Sequence, residues 1–284
     1  MAVANLTQLL SILITANHVL HYRGIFDAYG HISVRNPNNA STFFLSRDLA
    51  PALVSSPHDI VEYRIDDASA VFPNAPAGVT ERFIHSEVLK RYPAVNSVIH
   101  SHARAVIPYG ITKVPLLPVT QSGVVLGSKL CESAPVFEIA DYFLPWDAHV
   151  LLVRNARFGA ALASLFSSND TRTNTGASPT NNVVLMRGHG MAVVGQDIVT
   201  AVFRAISTPN VADIQRDALI LAALGGTDGQ PGRSGRIRYL TEQEKRDIAA
   251  QGTSHHRRGW ELWVREVEAA ATKDLYRNCL GSPL

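Results

Sequence analysis

Two histidines placed two residues apart, His100 and His102, close the apolar run Val98-Ile-His-Ser-His102. Side chains of a β-strand alternate between its two faces, so both imidazoles are expected on the same face. A third imidazole, His189, lies between two glycines in Arg187-Gly-His-Gly190. Three imidazoles can hold a metal ion and leave one coordination position open for a substrate.

A more ordinary interpretation of His100 and His102 is a pair of half-buried strand histidines with no ligand role. Three features favour a site. The pair ends a buried strand, the following Ala103-Arg104 step is predicted to start a helix with unpaired backbone donors, and the glycines around His189 allow close approach of the backbone and a ligand.

A carboxylate also precedes this strand. Glu81 is expected in the first turn of a helix over residues 80–91, with Thr80 as its N-cap. A glutamate in a first turn is usually explained by the helix dipole alone. Beside a metal ion, however, a carboxylate can move protons to and from a carbon acid.

The hydrophobic pattern predicts helices alternating with short strands. We expect one α/β domain over residues 1–225 and a helical C-terminal extension over residues 226–284 that packs on it. The predicted strands cover residues 30–35, 43–46, 59–65, 95–102, 183–187 and 191–195, and the predicted helices cover residues 80–91, 103–109, 149–166, 197–224, 241–251 and 260–276, after a first amphipathic helix near the N-terminus.

Composition narrows the function classes. The net charge is +2 and there is no run of basic residues, which gives no reason to expect nucleic acid or a membrane surface as a partner. The N-terminal apolar stretch lacks a basic start, so it is interpreted as a helix rather than a signal peptide. Cys131 and Cys279 are most simply free thiols in a reducing compartment. The protein is therefore expected to be cytoplasmic.

Taken together, these residues resemble the class II aldolase/adducin family from about residue 5 to residue 225. The resemblance rests on Gly30-His-Ile-Ser-Val-Arg35, then Glu81, then His100-Ser-His102, then Gly188-His189-Gly190 before a long helix. Glu81 precedes His100 by 19 residues, which is similar to the family spacing. The resemblance implies a single α/β/α domain with a central, mostly antiparallel sheet.

The resemblance also implies the roles of the four residues. His100, His102 and His189 would be zinc ligands and Glu81 the proton-transfer residue. Manganese, iron or cobalt would be alternatives, because imidazole ligands do not discriminate among these ions by sequence. The family's enzymes act on small molecules and are often homotetramers with active sites at subunit contacts, so a homo-oligomer is expected.

The chain departs from the sugar-phosphate aldolases of the family where those enzymes hold phosphate. Gly30-His31, Ser46-Arg47 and Val79-Thr80 replace a Gly-Asn, a Thr-Gly and a Ser-Ser pair, which argues against a phosphorylated ketose. The replacements are similar to the branch containing dihydroxyphthalate-type decarboxylases. The expected substrate contacts are His31, Ser46, Arg47, Arg104 and Tyr109.

Each of these contacts has an ordinary alternative. His31 can pair within the sheet, Arg47 can be a solvated loop residue, and Arg104 can bridge a subunit surface or a backbone carbonyl. His31 and Arg47 add polar groups at positions where the sugar-phosphate aldolases hold phosphate. These groups suit a substrate carboxylate.

The function expected from the sequence is therefore a divalent-metal-dependent carbon–carbon lyase. It would decarboxylate a hydroxylated carboxylic acid, either aromatic or aliphatic, through a metal-stabilised enolate. One alternative is an aldolase acting on an unphosphorylated hydroxy-carbonyl compound, and another is a Lewis-acid cyclase or isomerase in a biosynthetic pathway. A non-enzymatic adducin-like scaffold would be expected to lose the ligands or the glutamate, and this chain keeps all four.

Overall fold

The computed structural model describes residues 5–127, 133–167, 178–225, 237–252 and 254–284. Within these ranges, seven strands form one sheet in the order β3-β2-β1-β4-β7-β6-β5. The pairings are antiparallel except for the parallel pair of β5 and β6. The strands are β1 (His31–Arg35), β2 (Thr42–Ser46), β3 (Ile60–Arg64), β4 (Ser97–Ser101), β5 (Val136–Phe137), β6 (Val183–Met186) and β7 (Gly190–Gly195).

Helices cover both faces of the sheet, which confirms the expected α/β/α architecture. One layer consists of α1 (Leu6–Tyr22), α5 (Ile198–Gly225) and α7 (His256–Ala270), and the other contains α2 (Arg82–Arg91) and α4 (Ala156–Ser164). The shorter helices are α3 (Ile107–Ile111) and α6 (Glu242–Ala250). None of the helices in the described ranges combines the length and the apolar run that a bilayer crossing requires.

Side chains of the central strands alternate between the hydrophobic clusters on the two faces of the sheet. On β4, Ile99 belongs to the cluster beneath α1 and α5, whereas Val98 belongs to the cluster beneath α2 and α4. Val193 and Val194 divide in the same way on β7. His100 therefore shares the α2/α4 face with Val98, because side chains two residues apart lie on the same side of a strand.

The C-terminal extension packs on the first helix. Trp260, Val264 and Val267 of α7 are buried in the same cluster as residues of α1. Beyond α7, the Asn278 side chain donates hydrogen bonds to Ser11 of α1. Cys279 is an exposed free thiol, while Cys131 and most of the predicted polar loop over residues 167–182 lie outside the described residues.

Two predicted helix boundaries near the site were wrong. The helix expected over residues 149–166 begins only at Ala156, after Asn155 caps it by accepting from the Phe158 N–H. The preceding residues are not helical, and the Val153 N–H donates instead to Glu81. Helix α2 begins one residue after Glu81, so Glu81, not Thr80, is its N-cap residue.

Candidate metal centre

The sheet register brings the two histidine segments together. Ser101 at the end of β4 pairs with Met191 near the start of β7, so His102 and His189 both lie where these strands meet the loops. Gly188 has φ +65°, and a Cβ on Gly190 would lie 2.0 Å from the Ser101 carbonyl oxygen. Only glycine satisfies both positions, and this tight turn places His189 beside β4.

The structure assembles Glu81, His100, His102 and His189, whose potential ligand atoms all lie within 4.8 Å of one another. The Nε2 atoms of His102 and His189 are 3.1 Å apart. The Glu81 Oε2 atom lies 3.4 Å from His100 Nε2 and 3.5 Å from His189 Nε2. Ligands at about 2.0–2.1 Å from a tetrahedral ion are separated by about 3.3 Å, so these spacings suit a single ion.

The outer nitrogens of two imidazoles are held by acceptors. His100 Nδ1 lies 3.2 Å from the Met191 carbonyl oxygen, and His102 Nδ1 lies 2.9 Å from the Asp27 carboxylate. Carbonyl and carboxylate oxygens only accept hydrogen bonds, so in the neutral imidazoles the proton resides on Nδ1 and the Nε2 lone pair points inward.

The buried His100 Nε2 atom shows that this arrangement fits a cation. It makes no hydrogen bond of normal geometry, although buried nitrogens are almost always satisfied. Its neighbours are a carboxylate oxygen and two further imidazole nitrogens, and a donor set of this kind suits zinc and related divalent ions. The cluster of Glu81 and the three histidines is therefore able to hold a divalent metal ion.

Glu81 is held as an ionised carboxylate. Its side chain is buried, and its Oε1 atom accepts the Val153 N–H at 2.8 Å. Burial opposes ionisation, but the neighbouring imidazoles of His100 and His189 and the Val153 N–H outweigh it and lower the pKa of Glu81 to about 2. One carboxylate oxygen is thus fixed by the backbone, and the other faces the histidines.

Burial also keeps His189 neutral. Desolvation, with the neighbouring His100 imidazole adding to it, lowers the pKa of His189 to about 4. Metal ions bind the unprotonated imidazole, so at neutral pH His189 is in its ligand form.

His31, an expected substrate contact, lies beside the cluster in a buried hydrogen-bonded chain. Its ring centroid is 5.1 Å from that of His100. His31 Nδ1 is 2.7 Å from His85 Nε2, and His85 Nδ1 is 2.7 Å from the Ser33 hydroxyl. Burial, with neighbouring histidines adding to it, holds the pKa of His31 well below its usual range and lowers the pKa of His85 to about 3.

The other expected substrate contacts lie in different surroundings. Ser46 is buried at the end of β2, and Arg47 beside it donates from Nε to Asp59 at 2.9 Å. Arg104 is exposed two residues after His102. Tyr109 is a core residue whose hydroxyl donates to the Ala212 carbonyl at 2.7 Å, so its place in the fold is explained without a substrate.

Sequence reasoning missed the groups that orient the ligands. Asp27 supports His102, the Met191 carbonyl supports His100, and the Val153 N–H holds Glu81. Two of these are backbone groups and leave no signal in the sequence. Asp27 precedes β1, but its contact with His102 follows from the register of β1 and β4, which the sequence does not show.

Comparisons with known proteins show which family the chain is similar to. The family model of the class II aldolase and adducin N-terminal domain matches residues 11–216. Decarboxylase tropJ of Talaromyces stipitatus is 46% identical over 265 residues, which cover 93% of this chain and 95% of that protein. A 3,4-dihydroxyphthalate decarboxylase of Terrabacter sp. is 29% identical over 215 residues, covering 72% of this chain and 77% of that protein.

Solved structures show the same fold at low sequence identity. The L-fuculose 1-phosphate aldolase from Glaciozyma antarctica aligns with a TM-score of 0.65 at 17% identity, covering 96% of this chain and 92% of that one. An aldolase II superfamily protein from Pseudomonas syringae aligns with a TM-score of 0.67 at 16% identity, covering 94% and 95% of the two chains. With its family match, its decarboxylase relatives and this fold, the chain belongs to the class II aldolase and adducin family as an enzyme of the lyase type.

Proposed function

We propose that this chain is a divalent-metal-dependent decarboxylase of a hydroxylated carboxylic acid. The observation that carries the proposal is the convergence of three imidazole Nε2 atoms and the Glu81 carboxylate at one point. The choice of decarboxylation over other lyase reactions is supported by the 46% identity to a decarboxylase along nearly the whole chain. Zinc is the first candidate ion, and manganese, iron or cobalt would suit the same ligands.

His100, His102 and His189 would hold the ion, and the Glu81 carboxylate would lie beside it. A divalent ion in such a site acts as a Lewis acid towards a substrate oxygen next to the bond that breaks. The ligand nitrogens of His100 and His102 are already oriented by Met191 and Asp27. Little reorganisation would therefore accompany binding.

Glu81 would serve as the proton carrier. Being ionised at neutral pH, it can accept the proton of a substrate hydroxyl through Oε2 while Oε1 stays on the Val153 N–H. Carbon dioxide leaves when the carbon–carbon bond breaks and its electron pair stays on the substrate carbon. Glu81 then returns the proton to that carbon and is again ionised, and the substrate oxygen that lost the proton takes one from water as the product leaves.

Four polar side chains are proposed to hold the acid and to set specificity. His31 lies beside His100, Ser46 ends the strand next to β1 with Arg47 directly after it, and Arg104 lies two residues after His102. Arg47 already carries Asp59 as a partner, so it would have to share its guanidinium between that carboxylate and the substrate. The relative from Terrabacter acts, by its name, on 3,4-dihydroxyphthalate, which makes an aromatic hydroxy acid the first compound to try.

The test is product analysis with the zinc-loaded protein. A panel of dihydroxylated aromatic acids and unphosphorylated hydroxy-ketones is incubated with the enzyme, and carbon dioxide and aldehyde are measured separately. Carbon dioxide release that stops with a chelator and returns with zinc is the expected result. Release of aldehyde without carbon dioxide would indicate aldol cleavage instead of decarboxylation. Purified protein that binds no divalent metal ion would contradict the proposal.

We further propose a homo-oligomer, with a tetramer as the family expectation. The segment leading to Val153 exposes Trp146 by 78%, and Leu144 and Leu152 are also exposed. Because the Val153 N–H contacts Glu81, an interface on this segment would lie next to the site. Light scattering after size-exclusion chromatography measures the subunit number. The cytoplasmic location and the division at residues 225 and 226 stay predictions.

A further inference from the structure

Asp27 links a metal-ligand residue to the turn before β1. One carboxylate oxygen, Oδ2, lies 2.9 Å from His102 Nδ1. The other, Oδ1, accepts the backbone N–H groups of Tyr29 at 2.8 Å and Gly30 at 3.1 Å. The carboxylate is therefore anchored on both sides, and it cannot rotate away from His102 without breaking the turn.

This turn is itself fixed by packing. A Cβ on Gly30 would lie 2.3 Å from the buried Phe26 ring, so the backbone is pressed against the core at this point. The next residue, His31, pairs with His100 on β4. The position of Asp27 is thus set by the sheet that carries the histidines.

We propose that Asp27 is a positioning residue for the metal centre, acting through His102. The inference rests on the proposed metal site. An anionic acceptor on Nδ1 fixes the His102 tautomer that presents the Nε2 lone pair, holds the ring plane, and makes the imidazole a stronger ligand. In the described residues, His100 has only a neutral carbonyl in this place, so Asp27 supplies the one carboxylate that supports a ligand histidine from outside the cluster.

The substitution Asp27→Asn separates this role from the turn. Asparagine supports the same kind of turn through its side-chain oxygen, which leaves its NH2 group facing His102 Nδ1. Two donors would then face each other, and His102 would move its proton to Nε2, the nitrogen that must bind the ion. We expect about 10- to 100-fold weaker zinc binding, the usual effect of losing such an outer partner.

The measurement is the zinc dissociation constant from competition with a chromogenic chelator, without substrate. The visible spectrum of the cobalt-loaded protein gives a second readout that reports ligand geometry directly. The matched control is Asp67→Asn, because Asp67 Oδ1 accepts the Ser69 N–H at 2.8 Å in a similar exposed turn without a histidine. We expect the zinc affinity and the cobalt spectrum of Asp67→Asn to equal those of the wild type.

The outcomes separate the two proposals. Wild-type zinc affinity in Asp27→Asn, with zinc bound normally by the unmodified chain, would overturn the role of Asp27 and leave the metal site standing. The role of Asp27 is also overturned if metal-free Asp27→Asn melts at a lower temperature than the wild type and this loss of stability accounts for the weaker zinc binding. Asp27 would then only support the turn. Absence of zinc binding by the wild type would overturn the metal site and this inference together.

Discussion

Two groups of histidines lie side by side in this protein, one buried and the other partly buried, and they are built in opposite ways. In the first, His31 and His85 hydrogen-bond to each other, and the chain ends on the Ser33 hydroxyl. In the second, His100 and His102 direct their Nδ1 atoms to outer acceptors. Their Nε2 atoms then point towards that of His189, and His100 Nε2 makes no hydrogen bond of normal geometry there.

The difference distinguishes a hydrogen-bonded histidine pair from a set of metal ligands. Burial alone does not, because His31 and His85 are as inaccessible as His100. A satisfied chain of donors and acceptors is complete without an ion, whereas convergent lone pairs repel one another until a cation binds between them. Substitutions in the two groups should therefore have different consequences, and each of the following experiments tests that contrast.

The largest effect is expected from the ligand set. His102→Ala should abolish metal retention, because it removes one of the three inward nitrogens. The measurement is the metal content of purified protein after dialysis against a weak chelator. The exposed His58 provides the control, and His58→Ala should retain one ion per chain. Full metal content in His102→Ala would remove this residue from the site.

The next effect concerns Glu81. Glu81→Gln should keep the metal and lower the turnover rate by at least about 100-fold, the usual contribution of a general acid–base residue. Glu87 is a second buried glutamate on the same helix, and Glu87→Gln should retain activity. Initial rates of carbon dioxide release give the comparison. A fully active Glu81→Gln enzyme would show that another group moves the proton.

The hydrogen-bonded pair should respond through stability instead. His85→Ala removes the partner of His31 Nδ1 and of the Ser33 hydroxyl, and each buried group left unsatisfied costs about 1–3 kcal/mol. Urea unfolding of the metal-free protein measures the loss. Zinc affinity should stay at the wild-type value, and a loss of zinc affinity without a loss of stability would assign His85 to the metal site.

The smallest effect is on the acid dependence of stability. The pKa of His85 is lowered to about 3, and burial lowers the pKa of His18 to about 4, against about 6.5 in an unfolded chain. As the pH falls below about 6.5, the unfolded state binds these protons first. The free energy of unfolding should then fall by about 1.4 kcal/mol per pH unit for each such group until its folded pKa is reached.

This acid dependence is measured by urea unfolding of the metal-free protein at pH 7 and pH 5. Removing one titrating group in His85→Ala should make the decrease shallower than in the wild type. Equal slopes in the two proteins would mean that His85 is not held neutral by the fold.

Much of the site was predictable from the sequence because residue type and spacing carry it. The two-residue step from His100 to His102, the glycines around His189 and the preceding Glu81 pointed to one cluster, and the structure brings all four together. The antiparallel order of the sheet followed from the family resemblance and is confirmed. The start of α4 was not predictable by periodicity, because residues 149–155 keep an apolar pattern while the Val153 N–H is used by Glu81.

The sequence by itself therefore determined which side chains can bind a metal and in what order they occur. Only the tertiary structure decided which histidines converge and which satisfy one another, because that depends on the register between β1, β4 and β7. The tertiary structure also decided which groups orient the cluster: a carboxylate from the turn before β1, a carbonyl from β7 and an N–H from the segment before α4. Backbone groups are the same at every residue, so their use appears only when the chain is folded.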